Sequence, residues 1–277
     1  MSKIRLMGQN LWNCTGNLPT WEELGLDCSS AVRMRGHVKI YAELLPDILG
    51  GQEVNMQMQL DMKLNCIRMG LPYTIIWGNM TPIVYRADKL ELLDTEYLLY
   101  PAQVDGYEGS FNDVQSKSCN VGVFRTKEDG KVFVFATTHL WWKSSAAQPG
   151  SADVRRIQLA MATELVKKYQ AKYNGCPAVI VGDMNAGYNA QAIRYALDEA
   201  GWQHAHDVAV EFRHEGKGFN RCGIQPGVWQ DEPFENALDH ILVRDMPAGA
   251  VRRFDRYCAE DYVYLSDHAP VFIDLEL

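Results

Sequence analysis

The chain has 277 residues, of which 47% are hydrophobic and 22% charged, a composition typical of a globular protein with a substantial core. Its 35 acidic and 27 basic residues give a formal net charge of −8. This argues against a general DNA-degrading enzyme, because non-specific duplex binding relies on a basic surface.

The seven cysteines form no CxxC pair, and no apolar run approaches the roughly 18 residues of a membrane span. We therefore expect reduced thiols, no transmembrane segment and a cytoplasmic location. Secretion remains the alternative if a leader has been removed. No obligate protein partner is evident.

Helices and strands alternate along the chain. In chain order the predicted elements are the strand Ile4–Gln9, the helix Arg33–Leu45, the short strand Gln52–Glu53, the helix Met56–Met69, the strands Tyr73–Trp77, Ile83–Tyr85, Glu91–Leu99, Asn120–Arg125 and Lys131–Leu140, the helix Asp153–Lys172, the strand Ala178–Val181, the helix Ala190–Ala200, and the strands Leu238–Val243 and Val271–Leu275. Glu128-Asp129-Gly130 indicates a hairpin turn, and a polar loop is predicted from Glu211 to Glu235. No linker or repeat interrupts this pattern, so we expect one α/β domain over residues 1–277.

One buried strand, Ala178–Val181, is followed closely by Asp183 and Asn185. The carboxyl edge of such a strand is where α/β folds build sites. A carboxylate there can orient or deprotonate a water, and the carboxamide can hydrogen-bond a phosphoryl oxygen under attack. An Asx turn that only ends the strand is the alternative. The small Gly182 beside the carboxylate favours a functional role.

Oxygen donors end two other predicted strands. Glu53 is the first candidate for a metal-binding carboxylate, and Asn10 offers a neutral oxygen at the end of the first strand. Such ligands suit Mg²⁺ or Mn²⁺ rather than zinc. A lone asparagine at a strand end is usually a turn residue, so Asn10 counts only as a member of the set.

His139 and two tryptophans lie at the end of the strand Lys131–Leu140. A histidine in this position is more often structural than catalytic. The adjacent Trp141, Trp142 and Lys143 resemble a substrate wall, however. We therefore take both tryptophans as candidate substrate-binding residues.

Two carboxylates lie beside histidines near the end of the chain. Asp239 lies just inside the strand Leu238–Val243, where a carboxylate is costly to bury unless it is paired, and His268 is a suitable partner. Asp267 is a further hard oxygen donor. His240 points to the opposite face of its strand and is expected to be structural.

Taken in order, these motifs resemble the signature of the endonuclease/exonuclease/phosphatase superfamily, the DNase I-like group. They are Asn10, Gln52-Glu53, Thr138-His139-Leu140, Gly182-Asp183-Met184-Asn185, Leu238-Asp239-His240 and Ser266-Asp267-His268-Ala269-Pro270. The similarity runs from residue 4 to the C-terminus. The Thr-His-Leu motif resembles the sphingomyelinase-like, deadenylase-like and DNase I-like branches. Trp12 stands where apurinic endonucleases usually have an Asp, which argues against that branch.

The resemblance implies a four-layered α/β/β/α sandwich of two packed mixed sheets flanked by helices. It also implies divalent-metal-dependent cleavage of phosphoester bonds, with Mg²⁺ or Mn²⁺ as the cofactor. Glu53 resembles the principal metal ligand, and Asn10 and Asp267 would lie near the ion.

Catalytic roles follow from the same resemblance. Asp183 resembles the residue that aligns or activates the attacking water, and Asn185 the group that holds the phosphate. His268, oriented by Asp239, would stabilise the charged phosphoryl intermediate. His139 corresponds to the histidine of the Thr-His-Leu branch. We expect His139 and Asp183 on opposite sides of a phosphate-sized gap, with the two imidazoles supplying countercharge.

The sequence therefore predicts a phosphodiesterase or phosphatase that acts on a small-molecule or lipid-derived phosphoester by metal-assisted water attack. A nuclease of the same fold, acting on single-stranded or terminal DNA or RNA, is the alternative, because Trp141 and Trp142 could stack bases. The net acidity favours the first hypothesis.

Overall fold

The computed structural model describes residues 2–213, 217–220 and 226–277. The strands in these ranges are β1 Lys3–Asn10, β2 Ile48–Gln52, β3 Tyr73–Ile76, β4 Ile83–Arg86, β5 Leu90–Leu99, β6 Ser118–Thr126, β7 Val132–His139, β8 Ala178–Asp183, β9 Gln203–His204, β10 Glu211–Phe212, β11 Lys217–Asn220, β12 Trp229–Asp231, β13 Asp239–Arg244, β14 Val251–Arg256 and β15 Val271–Glu276. The α-helices are α1 Pro19–Glu22, α2 Ser30–Leu44, α3 Met56–Arg68, α4 Ser151–Lys172, α5 Gln191–Asp198 and α6 Ala205–Val208, and two 3₁₀ turns span Phe234–Asn236 and Glu260–Tyr264.

Two large mixed sheets form the centre of the molecule. The first has the strand order β10-β14-β15-β1-β2-β4-β3, and the second has the order β5-β6-β7-β8-β13-β9. The first sheet contains the parallel pairs β1–β2 and β10–β14, and the second contains the parallel pair β7–β8; the other pairs are antiparallel. β11 and β12 form a separate two-stranded sheet.

Three apolar clusters separate four layers. The cluster between the two sheets includes Leu6, Ile48, Phe135, Val181 and Ile273. The cluster between the first sheet and helices α2 and α3 includes Met7, Met34, Val38, Met58 and Phe272. The cluster between the second sheet and helices α4 and α5 includes Ala136, Leu159, Val166, Ile180 and Ile193. The predicted α/β/β/α sandwich is confirmed.

Alternation along the central strands explains this layering. Successive residues of a strand point to opposite faces, so Leu6 faces the other sheet while Met7 faces the helices. Gly50 of β2 lets the sheets approach, because a Cβ there would lie 2.6 Å from the Thr137 Cβ on β7. Within the described residues, no helix combines the length and apolar character needed to cross a membrane.

Most predicted elements are present with ends that differ by three residues or fewer. β2 begins four residues before the predicted strand Gln52–Glu53. The prediction missed these residues because Gly50 and Gly51 have no side chains that would show the strand pattern. The prediction of a loop from Glu211 to Glu235 was wrong for its described part, which contains β10, β11 and β12; residues 214–216 and 221–225 lie outside the described residues. β14 was not predicted, and a register irregularity between Val251 and Arg253 breaks its alternation.

Candidate active site

Three neighbouring strands of the second sheet bring polar residues into one row. Asp183 ends β8, and its Cα partners are His139 at the end of β7 and Asp239 at the start of β13. All three side chains are nearly completely buried. Because β7 and β8 are parallel and β13 is antiparallel to them, these three residues share one edge of the sheet.

The first sheet supplies a facing row from its neighbouring strands β15, β1 and β2. Asp267 and His268 lie just before β15, Asn10 ends β1, and Glu53 follows β2. Strand ends thus place the predicted metal and phosphate groups at the same end of the sandwich.

Contacts join the two rows at three points. The predicted contact between His268 and Asp239 is present, with Nδ1 and Oδ2 2.7 Å apart. The Asn10 amide donates to Asp183 Oδ2 at 3.0 Å. At the third point, Glu53, His139 and Asp183 each place one ligand atom within 4.8 Å of the others.

The rows line a cleft of about 460 Å³. Its wall comprises Asn13, Glu53, Met80, Val114, Ser116, Lys117, His139, Trp142, Asp183, Asn185, Phe219, Leu238 and His268. Four of these residues (Glu53, Met80, Val114 and Asn185) have positive φ angles, between 45° and 65°. Left-handed backbone at residues other than glycine is costly and concentrates at functional sites.

Asp239 controls the charge of His268. Burial alone would lower the pKa of the imidazole, but the negative charge and hydrogen bond of Asp239 raise that pKa well above its ordinary value. His268 is therefore a cation at neutral pH. A fixed positive charge at this position can stabilise the negative charge that develops on a phosphoryl group.

His139 has the opposite electrostatic character. Burial lowers its pKa well below the ordinary value, and the positive charges of Lys117 and His268 lower it further. The expectation that two imidazoles supply countercharge was wrong for His139, which is neutral at pH 7. Lys117 is the second cation, with its Nζ 2.7 Å from His139 Nε2.

His139 and Asp183 lie side by side, with Nε2 and Oδ2 3.5 Å apart. The prediction that they face each other across a phosphate-sized gap was wrong. The physical reason is the pairing of β7 with β8, which makes the two residues direct partners on neighbouring strands. The residues across the cleft come from the other sheet.

The Asp183 carboxylate is buried and accepts two hydrogen bonds. Burial raises its pKa to about 6, and Asp239 adds to the rise, while His268 and Lys117 oppose it. Its Oδ1 accepts from the Asn185 backbone N–H at 2.9 Å. A buried carboxylate with a raised pKa is a stronger base than an exposed one, which suits the activation of a water.

The turn formed by Asp183 and Asn185 does not use up the hydrogen-bonding capacity of the Asn185 side chain. The Asn185 side-chain amide donates to the Leu140 carbonyl oxygen at 3.1 Å. An amide nitrogen carries two donors, so a second hydrogen remains for an oxygen anion in the cleft.

The carboxylates around Glu53 have the chemistry of a hard-cation site. Burial raises the pKa of Asp267, and the charge of Glu53 raises it further while His268 opposes the rise. A divalent cation would remove this repulsion. Among the described histidine, cysteine and acidic side chains, Glu53, His139 and Asp183 form a group whose ligand atoms all lie within 4.8 Å of one another. The predicted set of Glu53, Asn10 and Asp267 stays a prediction. Asn10 Oδ1 accepts from the Trp12 backbone N–H at 2.9 Å.

The two tryptophans have different environments. Trp142 is 54% exposed and lines the cleft. Trp141 is fully buried in a cluster with Phe111 and Val154, so the prediction that it forms part of the substrate wall was wrong. Adjacent residues after a strand point in different directions, and only one of the two can face the cleft.

Among the residues of the cleft that were not predicted from the sequence, two contact the predicted histidines. Phe219 of β11 pairs with His268 and places its ring 5.4 Å from that imidazole, centroid to centroid. Lys117 immediately precedes β6, whose first residue, Ser118, is the Cα partner of His139. The signal for Lys117 was present in the predicted hairpin turn at residues 128–130, because counting back from it brings this lysine beside the strand end that carries His139.

The comparisons with known proteins agree with this architecture. The sequence profile described as the Endonuclease/Exonuclease/phosphatase family matches residues 29–268. No curated protein matches the sequence. Three solved structures cover nearly the whole chain, and at their low sequence identities the likeness shows the fold alone.

A mannosyl-6-phosphatase from Bacteroides thetaiotaomicron is 20% identical, with a TM-score of 0.75 over 99% of this chain and 100% of that chain. TDP2 from D. rerio, solved with a single-strand DNA product, is 16% identical, with a TM-score of 0.67 over 100% of both chains. The human Nocturnin catalytic domain with a bound sulfate anion is 16% identical, with a TM-score of 0.62 over 99% of this chain and 94% of that chain.

Proposed function

The chain belongs to the endonuclease/exonuclease/phosphatase family, whose members hydrolyse phosphoester bonds, and on this basis we propose a divalent-metal-dependent hydrolase of small-molecule or lipid-derived phosphoesters. The observation that carries the proposal is the pair of facing rows, in which a carboxylate, an imidazolium and a cluster of hard donors share one cleft.

Glu53 would be the principal ligand of Mg²⁺ or Mn²⁺, with Asn10 and Asp267 beside it, and the Asp183–His139 pair borders the same place. Such an ion, when bound, neutralises phosphate charge and polarises the phosphorus–oxygen bonds.

The protein's own groups divide the remaining work. Asp183, held by the Asn10 amide, would orient a water and take its proton. His268, kept charged by Asp239, would stabilise the negative charge on the phosphoryl oxygens, and Asn185 would donate to one of them. Neutral His139 would accept a hydrogen bond from Lys117 at Nε2 and so hold this lysine in position beside Asp183.

A nuclease acting on single-stranded or terminal nucleic acid is the second candidate. The exposed Trp142 at the cleft favours it, because base–aromatic stacking is independent of sequence. The formal charge of −8 favours a smaller substrate, since a long anionic strand would meet a net repulsive surface.

A substrate panel tests the proposal and separates the two candidates. Initial rates with Mg²⁺, Mn²⁺ or EDTA are measured on p-nitrophenyl phosphate, bis-p-nitrophenyl phosphate, sphingomyelin and a single-stranded oligonucleotide. We expect metal-dependent turnover of a small or lipid phosphoester, with the oligonucleotide as the slowest substrate. Preferential cleavage of the oligonucleotide would favour the nuclease, and no metal-dependent hydrolysis of any substrate would contradict both candidates.

A further inference from the structure

Lys117 is a buried cation that faces the cleft. The residue is only 3% exposed, and it lines the same cleft as Asn185 and His268. Its Nζ donates to His139 Nε2 at 2.7 Å. Within the described ranges, no carboxylate oxygen lies within the 4.0 Å of this nitrogen that would define an ion pair.

A buried ammonium group without a paired anion is energetically costly. The negative charges of Asp183, Glu53 and Asp113 act on this ammonium group. Burial lowers the pKa of Lys117 to about 8, and these three carboxylates oppose the fall. The neutral ring of His139 accepts one of its three hydrogens, which leaves two for another ligand.

An anion in the cleft would complete this arrangement. The cleft of about 460 Å³ is lined by Lys117, His268 and Asn185, which all carry nitrogen donors. Tetrahedral oxygen anions accept such charge-assisted hydrogen bonds. We propose that Lys117 binds a non-bridging oxygen of the substrate phosphate directly and thereby favours terminal phosphomonoesters over phosphodiesters. This inference rests on the proposed function.

Electrostatics distinguish direct contact from a role in positioning His139. A phosphomonoester carries up to two negative charges and a phosphodiester carries one, so a lysine that touches the phosphate interacts about twice as strongly with the monoester. A lysine that only orients His139 affects both substrates equally. Loss of one hydrogen bond to a charged group corresponds to a change of about 10-fold to 100-fold.

The test uses Lys117→Met, which keeps the length of the side chain, and Lys131→Met, an exposed lysine at the opposite end of β7, as the matched control. We measure kcat/KM for p-nitrophenyl phosphate and bis-p-nitrophenyl phosphate with Mg²⁺, and inorganic phosphate binding by calorimetry. For Lys117→Met we expect a fall of about 100-fold on the monoester, about 10-fold on the diester, and phosphate binding weakened at least about 10-fold. Lys131→Met should match the wild type.

Equal losses on both substrates with unchanged phosphate binding would overturn the proposal and reduce Lys117 to a positioning residue. Lys117→Gln serves if Lys117→Met fails to fold, and Lys117→Arg should restore part of the monoester preference. If the wild type hydrolyses neither ester with Mg²⁺ or Mn²⁺, the proposed function fails separately. In that case the comparison of phosphate binding between the wild type and Lys117→Met is enough to test the assignment of Lys117: weaker binding by the variant supports it, and equal binding overturns it.

Discussion

Replacing Asp183 by asparagine should stabilise the metal-free protein in a pH-dependent way. The folded protein holds this carboxyl at a pKa of about 6, against an ordinary value of 3.8, chiefly because the group is buried. Between these two pH values the folded chain retains the proton and the unfolded chain has released it. Stability from this group is therefore present below pH 3.8 and is lost as the pH rises to about 6.

The size of the effect follows from the two pKa values. At ~1.4 kcal/mol for each pH unit, the ionised carboxylate lowers the free energy of unfolding at pH 7 by about 3 kcal/mol. Asparagine has no charge to bury and does not incur this cost. The backbone hydrogen bond from Asn185 favours the ionised form and lowers the pKa, so its effect is already part of this difference.

The assay is urea unfolding of wild type and Asp183→Asn in EDTA at pH 4.5 and pH 7.5. We expect the difference in unfolding free energy, variant minus wild type, to be larger at pH 7.5 by about 2 kcal/mol, because roughly 1 kcal/mol of the cost is already present at pH 4.5. Equal differences at the two pH values would show that Asp183 behaves as an ordinary solvated carboxylate, and the argument for a strengthened base would fail.

Three further predictions concern the metal, the imidazolium and the aromatic residues. Mg²⁺ at 100 times its Kd should stabilise the wild type by about 2.7 kcal/mol, and Glu53→Gln should abolish the rise in Tm; an undiminished rise would exclude Glu53 as a ligand. Asp239→Asn should keep the contact with His268 but remove the charge that raises its pKa, so kcat should fall about 10–100-fold; unchanged kcat would refute that role. Trp141→Ala should cost about 3–5 kcal/mol in unfolding free energy, whereas Trp142→Ala should raise KM with little loss of stability, and the reverse pattern would contradict the assignment.

The fold was predictable because each motif stands at the end of a strongly patterned strand. β7 and β8 are buried on both faces and contain mostly branched or aromatic side chains, which made their ends, at His139 and Asp183, visible in the sequence. The contact between Asp239 and His268 was predictable from the cost of burying an unpaired carboxylate.

The arrangement across the cleft was less predictable because it depends on which strands are neighbours. Sequence periodicity does not specify that β7 and β8 pair directly, and this pairing places His139 beside Asp183. The buried position of Trp141 likewise depends on the packing of Phe111 from a distant loop. Phe219 was missed because the surrounding glycines and polar residues are typical of a loop, although β11 pairs with β12.

The central claim is that this cleft hydrolyses phosphoesters with a divalent metal and with Asp183 as the base. Its most direct test compares the wild type and Asp183→Asn on the best substrate of the panel, in Mg²⁺ and in EDTA, with folding of both proteins verified by circular dichroism. We predict turnover by the wild type only with Mg²⁺, and a loss of about 100-fold or more in kcat for the folded variant. Equal turnover in EDTA, or a variant that retains the wild-type kcat, would contradict the account.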